Sequence, residues 1–193
     1  MVDQVANSWA ARFLELGQEA DRPITNMKLQ KLVTLAESAS MFVRGTDAFV
    51  EPVQAWEHGP VVYPVYTRYK PFQRSKITTI DRAGTTTLSD EDEYIAEEVW
   101  GIVGRLNAGE LRNITHEVGP WPAHYRPEER GTRLPSSELG DAWPLYVARA
   151  SRLTQGRSPV ETPPVAVGGL SAAQRAEAVK MFRSGRPSTR AGG

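Results

Sequence analysis

Between Thr25 and about Val43 the chain reads TNMKLQKLVTLAESASMFV, a helical pattern whose apolar sector is wider than a surface helix needs. Leu29, Leu32, Val33, Ala36 and Ser40 recur at three- and four-residue steps and form one stripe. Leu35 and Phe42 fall outside that stripe and widen it. Thr25 is placed to cap the first turn with its hydroxyl. A helix apolar over so much of its circumference is expected to be buried on more than one side, so other elements must surround it.

Those elements are readable on both sides. Residues 3–16 carry Val5, Trp9, Phe13 and Leu16 at helical spacing, with Gly17 as the expected stop. Val50, Val53 and Ala55 suit a short strand entering a turn at Gly59-Pro60, where Gly59 accepts a positive φ. Pro64 fits the first turn of a helix reaching about Lys70. Residues 76–87 (KITTIDRAGTTT) are β-branched around Ala83-Gly84 and read as a small hairpin or an ordered loop. Ser89 with Asp92 has capping-box spacing, followed by Ile95, Val99, Ile102, Val103 and Leu106 on one face. Asn107 with Glu110 repeats the signature for a short helix containing Leu111, Ile114 and Val118. Residues 120–135 read as loop. Asp141 is expected to cap a last core helix, with Pro144 in its first turn and Leu145, Tyr146, Val147 and Leu153 as its contact face.

The fold class is therefore mainly α, a compact helical domain over residues 1–153 with one minor β hairpin or short strand element. Residues 154–170 (TQGRSPVETPPVAVGGL) read as a flexible linker, Ser171 to Phe182 as a short amphipathic helix, and Ser184 to Gly193 as disordered. From Arg152 onward seven basic residues face two acidic ones, while the rest of the chain holds 16 basic and 21 acidic residues. The tail thus carries +5 and the body −5, a poor general platform for phosphate backbone and a fit for a basic partner. With 0 cysteines, disulfides and thiolate ligands are excluded, and a reducing interior is the natural home. No run approaches the roughly 18 apolar residues of a membrane span, and the N-terminus lacks the basic and apolar regions of a signal peptide. The expectation is a soluble cytoplasmic protein.

Catalytic signatures are missing. The sequence has no Gly-x-Ser-x-Gly, no Walker-type Gly-Lys-Ser/Thr, no His-Glu-x-x-His and no Gly-x-Gly-x-x-Gly. Three histidines, His58, His116 and His124, are the whole imidazole inventory, and prolines 120 and 122 prevent helical ligand spacing between the last two. No enzyme activity, metal site or cofactor is expected.

Several spaced motifs instead resemble one family. Lys28-Leu29-Gln30-Lys31-Leu32, Ala55-Trp56-Glu57-His58-Gly59-Pro60-Val61 and Val65-Tyr66 match, in order, the hallmarks of the Panacea, or SocA-type, antitoxin domain of bacterial and phage toxin–antitoxin systems. Downstream, Asn107-Ala108-Gly109-Glu110-Leu111, Thr115-His116 and Gly119-Pro120-Trp121 resemble that family's second conserved segment, so the likeness spans about residues 3–153. It departs at Thr34, which stands where the family has an aromatic ring. The resemblance implies a phage-defence or toxin–antitoxin role, with a cognate protein toxin neutralised by direct contact. It also implies, with less weight, delivery of that toxin to a ClpXP-type protease. It implies that Lys28, Leu29, Gln30, Lys31, Leu32, Trp56, Gly59, Pro60, Tyr66 and His116 are mainly structural. The alternative is a DNA-binding regulator of its own operon, in which the helix from Ala108 to Val118 offers Arg112 and Asn113 to base edges but also Glu110 and Glu117 to phosphates. Nucleic acid and membrane are not the expected partners.

The residue types themselves nominate a partner face. Tyr63, Tyr66 and Tyr69 recur every three residues with Arg68 among them, a composition enriched at protein interfaces. Tyr66 is expected in the core and Tyr63, Arg68 and Tyr69 at the surface, with Trp121 as a further anchor. For Trp56 and Trp121, burial is favoured over exposure. Lys31 is expected on a solvated face, and Lys28 is left open. Because residues 154–193 offer little to bury, deleting them should leave thermal unfolding cooperative and the melting temperature nearly unchanged by calorimetry; a large drop would show that the tail docks on the body.

Overall fold

The computed structural model describes residues 5–129 and 131–155, so the expectations for the tail lie outside the described residues. The described residues form seven α-helices and three short strands in the order α1 (Val5–Glu19), α2 (Asn26–Arg44), β1 (Val53–Trp56), β2 (Gly59–Val62), α3 (Tyr63–Tyr69), α4 (Asp90–Val103), α5 (Ala108–Glu117), α6 (Trp121–His124), β3 (Thr132–Arg133) and α7 (Ser136–Thr154). A 3₁₀ turn, Lys70–Phe72, follows α3. The mainly helical class with a minor β element holds.

Helix α2 is the axis. Thr25 caps it, its side chain accepting from the Lys28 N–H, and Gly45 closes it at φ 69°. Every residue from Lys28 to Ser40 is buried, and α2 touches α1, α3, α4, α5, α7 and β2. The wide apolar sector read from the sequence therefore corresponds to burial on all sides. Around it, Trp9 and Phe13 of α1, Val99 and Trp100 of α4, Leu111 and Ile114 of α5 and Trp143 and Tyr146 of α7 complete the core. The indole N–H of Trp9 donates to the Ala48 carbonyl, and the Ala48 N–H donates to Glu37 of α2 at 2.8 Å, which pins the segment after α2. Arg12 joins α1 to α4 by hydrogen bonds to Glu93 and Glu97.

The sheet order is β2-β1-β3, antiparallel throughout, with Trp56 opposite Gly59 and Gln54 opposite Arg133. Gly59 and Pro60 are the first residues of β2 rather than the turn itself, which lies at Glu57-His58. Gly59 does take a positive φ, of 97°. Residues 76–87 form an ordered loop whose pairing is a lone bridge from Thr25 to Lys76.

Three boundaries differ from expectation. α1 continues through Gly17 to Glu19, because Gly17 serves close packing: a Cβ there would stand 2.7 Å from Ile24 Cδ1. The stretch expected to be all loop after Gly119 contains α6 and β3, both too short to leave a periodic signal. The last helix starts at Ser136, with Pro144 in its interior. Proline there clashes with the carbonyl four residues back, and that residue is Gly140, where an added Cβ would stand 3.0 Å from the Met41 side chain. Burial of Leu139, Ala142, Trp143, Tyr146, Val147 and Ala150 holds the helix together across the proline, whereas the expected contact residues Leu145 and Leu153 are exposed.

Both capping signatures in the second half are real. The Ser89 hydroxyl accepts from the Asp92 N–H, and Asn107 with Glu110 forms a reciprocal capping box. Gly119, at φ 89°, ends the α5 segment directly beneath the Tyr146 hydroxyl, where no Cβ fits. Gly119→Ala should therefore lower stability by more than about 1 kcal/mol, from both strain and the clash. Gly101→Ala, in α4 with open space around the new methyl, should instead be neutral or stabilise by up to about 1 kcal/mol. Paired thermal melts test both, and equal effects would contradict the packing at Gly119.

Candidate functional site

Three polar side chains of α2 project into the core and end on backbone groups. Lys28 Nζ donates to the Gly104 carbonyl at 2.7 Å and lies over the Trp100 ring. Gln30 Oε1 accepts from the Val62 N–H at 2.9 Å, while its Nε2 donates to Asn26 Oδ1, and Asn26 in turn donates to the Tyr66 carbonyl. Lys31 Nζ donates to the Pro60 carbonyl at 2.8 Å. The Val62 N–H and Pro60 carbonyl both face away from β1, on the outer edge of β2. Gln30 and Lys31 thus stand where a further strand would pair, and Pro60, which has no N–H, leaves no orphan donor there. Lys31 is 1% exposed and Lys28 6%, which corrects the solvated face expected for Lys31. Leu29 and Leu32 are core residues, fully buried.

The turn of the hairpin is clamped from its other side by α5 and α6. Gly59 is the point of closest approach. A Cβ there would stand 2.6 Å from Lys31 Nζ and 3.1 Å from His116 Nε2. The His116 ring stacks on Trp121 at 3.6 Å, and Trp121 stacks on Tyr125 at 4.8 Å. The Trp121 indole N–H donates to the Trp56 carbonyl at 2.7 Å. Trp56 in turn packs against Tyr66 and Tyr63, with ring centroids 4.9 and 6.2 Å away. Its own N–H is taken by Gln54. The two motif groups, separate in sequence, thereby build one surface of six rings: Tyr66, Trp56, Tyr63, His116, Trp121 and Tyr125.

Placement sorts the candidate residues. Tyr63 is the exposed ring of the face, at 51%. Trp56, Tyr66, Trp121 and Tyr125 are half-buried. Trp121 has both ring faces and its N–H occupied within the molecule, so it holds the surface together more than it projects from it. Two expectations are corrected. Tyr66 is half-buried rather than core, and Tyr69 is 1% exposed rather than a surface residue. The cause is helical geometry. Each three-residue step turns the side chain by about 60°, so three tyrosines so spaced cannot share a face. Tyr69 joins Val65 on the inner side and packs on Phe72. Arg68 turns to the 77–88 loop, donating to the Asp81 carbonyl at 3.0 Å, so it too leaves the aromatic face. Tyr125, which the sequence reading passed over, joins it because α6 brings the ring round onto Trp121. His124 pairs with Glu138 of α7. The described residues contain no group of three or more His, Cys, Asp or Glu able to hold a metal, and no helix long and apolar enough to cross a membrane.

The electrostatics beneath this face are one-sided. No ion pair reaches Lys31 among the described residues. Burial, aided by Arg112, pushes its amine down to about 7. Burial likewise lowers Lys28 to about 8. His116 falls to about 4, through burial first and then the charges of Arg112 and Lys31. On another side of α2, burial raises Glu37 to about 7. Arg112, expected in the alternative reading to reach base edges, therefore lies beside the buried amine and imidazole.

Residues 29–122 match the family described as antitoxin SocA-like, Panacea domain. The match includes both motif groups apart from Lys28 and every ring of the aromatic face except Tyr125, and it covers less of the chain than the 3–153 span expected from the motifs. No curated protein and no solved structure matches the chain.

The buried amines make stability depend on pH in an unusual direction. Lys31 binds its proton less readily folded (about 7) than at its ordinary 10.5, so the unfolded chain holds more protons across that window and stability rises with pH. One such proton contributes on the order of 1 kcal/mol per pH unit. Below pH 7, Glu37 and His116 act in opposite senses: stability falls as pH rises from 4.5 to about 7 for the raised carboxyl, and rises from about 4 to 6.5 for the lowered imidazole. The alkaline limb is therefore the clean test. Denaturant midpoints should climb between pH 7 and 9, and Lys31→Met should flatten the slope by about one proton, leaving the Lys28 share; an unchanged slope in the variant would contradict the assignment.

Proposed function

From the SocA-like Panacea antitoxin domain carried by residues 29–122, we propose that this protein is the antitoxin of a two-gene system and neutralises its toxin by direct protein–protein contact. The toxin docks on the aromatic face formed by the β1–β2 hairpin, the start of α3 and α6. The family match carries the antitoxin reading, because it spans both parts of that face. The geometry supports the location. Interfaces draw most of their energy from a few aromatic anchors in rigid surroundings, and Tyr63 projects from the start of α3, directly after a hairpin tied to α2 by Gln30 and Lys31 and to α6 by Trp121. Tyrosine loses little side-chain entropy on docking, which favours it as an anchor.

The action is binding, not catalysis: masking the toxin rather than passing it to a ClpXP-type protease. The protein acts inside the cell that makes the toxin.

Co-expression with the neighbouring open reading frame tests the reading. That frame alone should arrest growth, and this protein should restore growth equally in a strain lacking ClpXP. A harmless neighbour, or one that stays lethal beside this protein, overturns the antitoxin assignment, and rescue that requires the protease replaces masking by delivery. Tyr63→Ala should weaken toxin affinity by more than about 1 kcal/mol with no change in the melt. Tyr69→Ala, which removes a buried ring, should instead lower the melting temperature. Calorimetry of binding and unfolding on the same samples separates the two.

A further inference from the structure

The polar groups under the Glu57-His58 turn are more numerous than the fold of a short hairpin requires. Lys31 crosses from α2 to the Pro60 carbonyl with its amine buried and no carboxylate partner among the described residues. The groups facing it are Arg112 and His116 from α5, with His58 from the turn close to the imidazole; all are basic or neutral. His116 bonds the His58 backbone through its ring, while its Nε2, buried and without a hydrogen-bond partner among the described residues, faces the same Gly59 gap as the amine. On the far side of that gap the hairpin touches α6 through the hydrogen bond from Trp121 to Trp56.

We infer that Lys31 is a positioning residue for the docking face: its amine, held by the Pro60 carbonyl and set against His116 across Gly59, fixes the hairpin so that Trp56 and Tyr63 are seated on Trp121. The inference rests on the reading of this face as the toxin-binding surface. Its physical basis is a division between two kinds of support. Gln30 holds the start of α3 through Val62, and the apolar core holds α2 itself; neither reaches the turn. Among the described residues, Lys31 supplies the side-chain hydrogen bond from the buried axis to the residue pair that opens β2. A methionine there keeps the length and fills the volume, and relief of a desolvated amine offsets part of the cost of the unmet Pro60 carbonyl, so the domain still folds. What it lacks is the donor for the Pro60 carbonyl.

The experiment compares indole N–H signals by NMR in wild type and Lys31→Met, with Trp56 and Trp121 assigned from their Phe variants. In Lys31→Met the solvent exchange of the Trp121 indole N–H, which reports its bond to Trp56, should accelerate at least tenfold, while Trp9, Trp100 and Trp143 stay unchanged. Affinity for the product of the adjacent gene should fall at least tenfold with the thermal melt still cooperative. Unchanged Trp121 exchange overturns the inference, and so does equal acceleration at all five indoles, which would mark a merely structural lysine. If Lys31→Met fails to fold, Gly59→Ala, whose methyl displaces the amine, must show the same local pattern or the inference falls. Should the wild-type protein not bind that gene product at all, the antitoxin reading fails, while the exchange data still decide whether Lys31 positions the turn.

Discussion

The structure depends on a helix that is buried on every side and nevertheless carries polar side chains inward. Lys28, Gln30 and Lys31 are at most 6% exposed, and each ends on a backbone group that another element leaves unpaired. Gly104 follows α4, where carbonyls have no partner within their own helix. Val62 and Pro60 lie on the outer edge of β2, where no strand follows. A buried carbonyl or N–H left unmet costs about 1–3 kcal/mol, so three such groups would consume much of the stability of a domain this size. The α2 side chains meet them from the inside. The cost is the desolvation of two lysine amines, which appears as their depressed proton affinity.

This arrangement explains what sequence reasoning recovered and what it missed. Apolar periodicity located α1, α2, α4 and α5, since a stripe at three- and four-residue spacing has one structural meaning wherever it is long enough. The caps at Thr25, Ser89 and Asn107 were legible because they are local, a side-chain oxygen and an N–H within three residues. Lys31 was not legible. Helical spacing says which way a side chain points, but a lysine points inward only if a distant carbonyl waits for it, and the Pro60 carbonyl is 29 positions away. Pro144 misled for a related reason. A proline marks a helix start unless tertiary burial on both sides of it outweighs the lost hydrogen bond, and here Trp143 before it and Tyr146 after it supply that burial.

The candidate face shows the same split between local and distant causes. Its aromatic composition was visible, but the meeting of the two motif groups in one face was not, because it rests on the bond from Trp121 to Trp56, 65 positions apart. Which ring projects was not visible. Tyr63 and Tyr69 look alike in the sequence, yet the 120° or so between them on α3 sends one into solvent and the other against Phe72. Trp121 looked like an anchor and is a strut, with His116 on one face, Tyr125 on the other and its N–H on Trp56. Tyr125 reaches the face only because the four-residue α6 folds back, and a helix that short leaves no pattern to read.

A rigid base and a replaceable surface fall on different residues here. The base is the α2 network, where a change of one atom type leaves a buried group unpaired. The surface is the ring face carried by a hairpin of two four-residue strands, in which β2 is buried throughout and Trp56 of β1 is half-buried, and by the exposed Tyr63 that follows it. Hairpins that small are not stable alone. Tied to a buried helix by side chains rather than by more strands, the β1–β2 hairpin can change its exposed rings without changing what holds it. Replacing Tyr63 alters only the outer surface. Replacing Gly59, Lys31 or His116 alters the junction beneath it, and every ring of the face then moves with the turn.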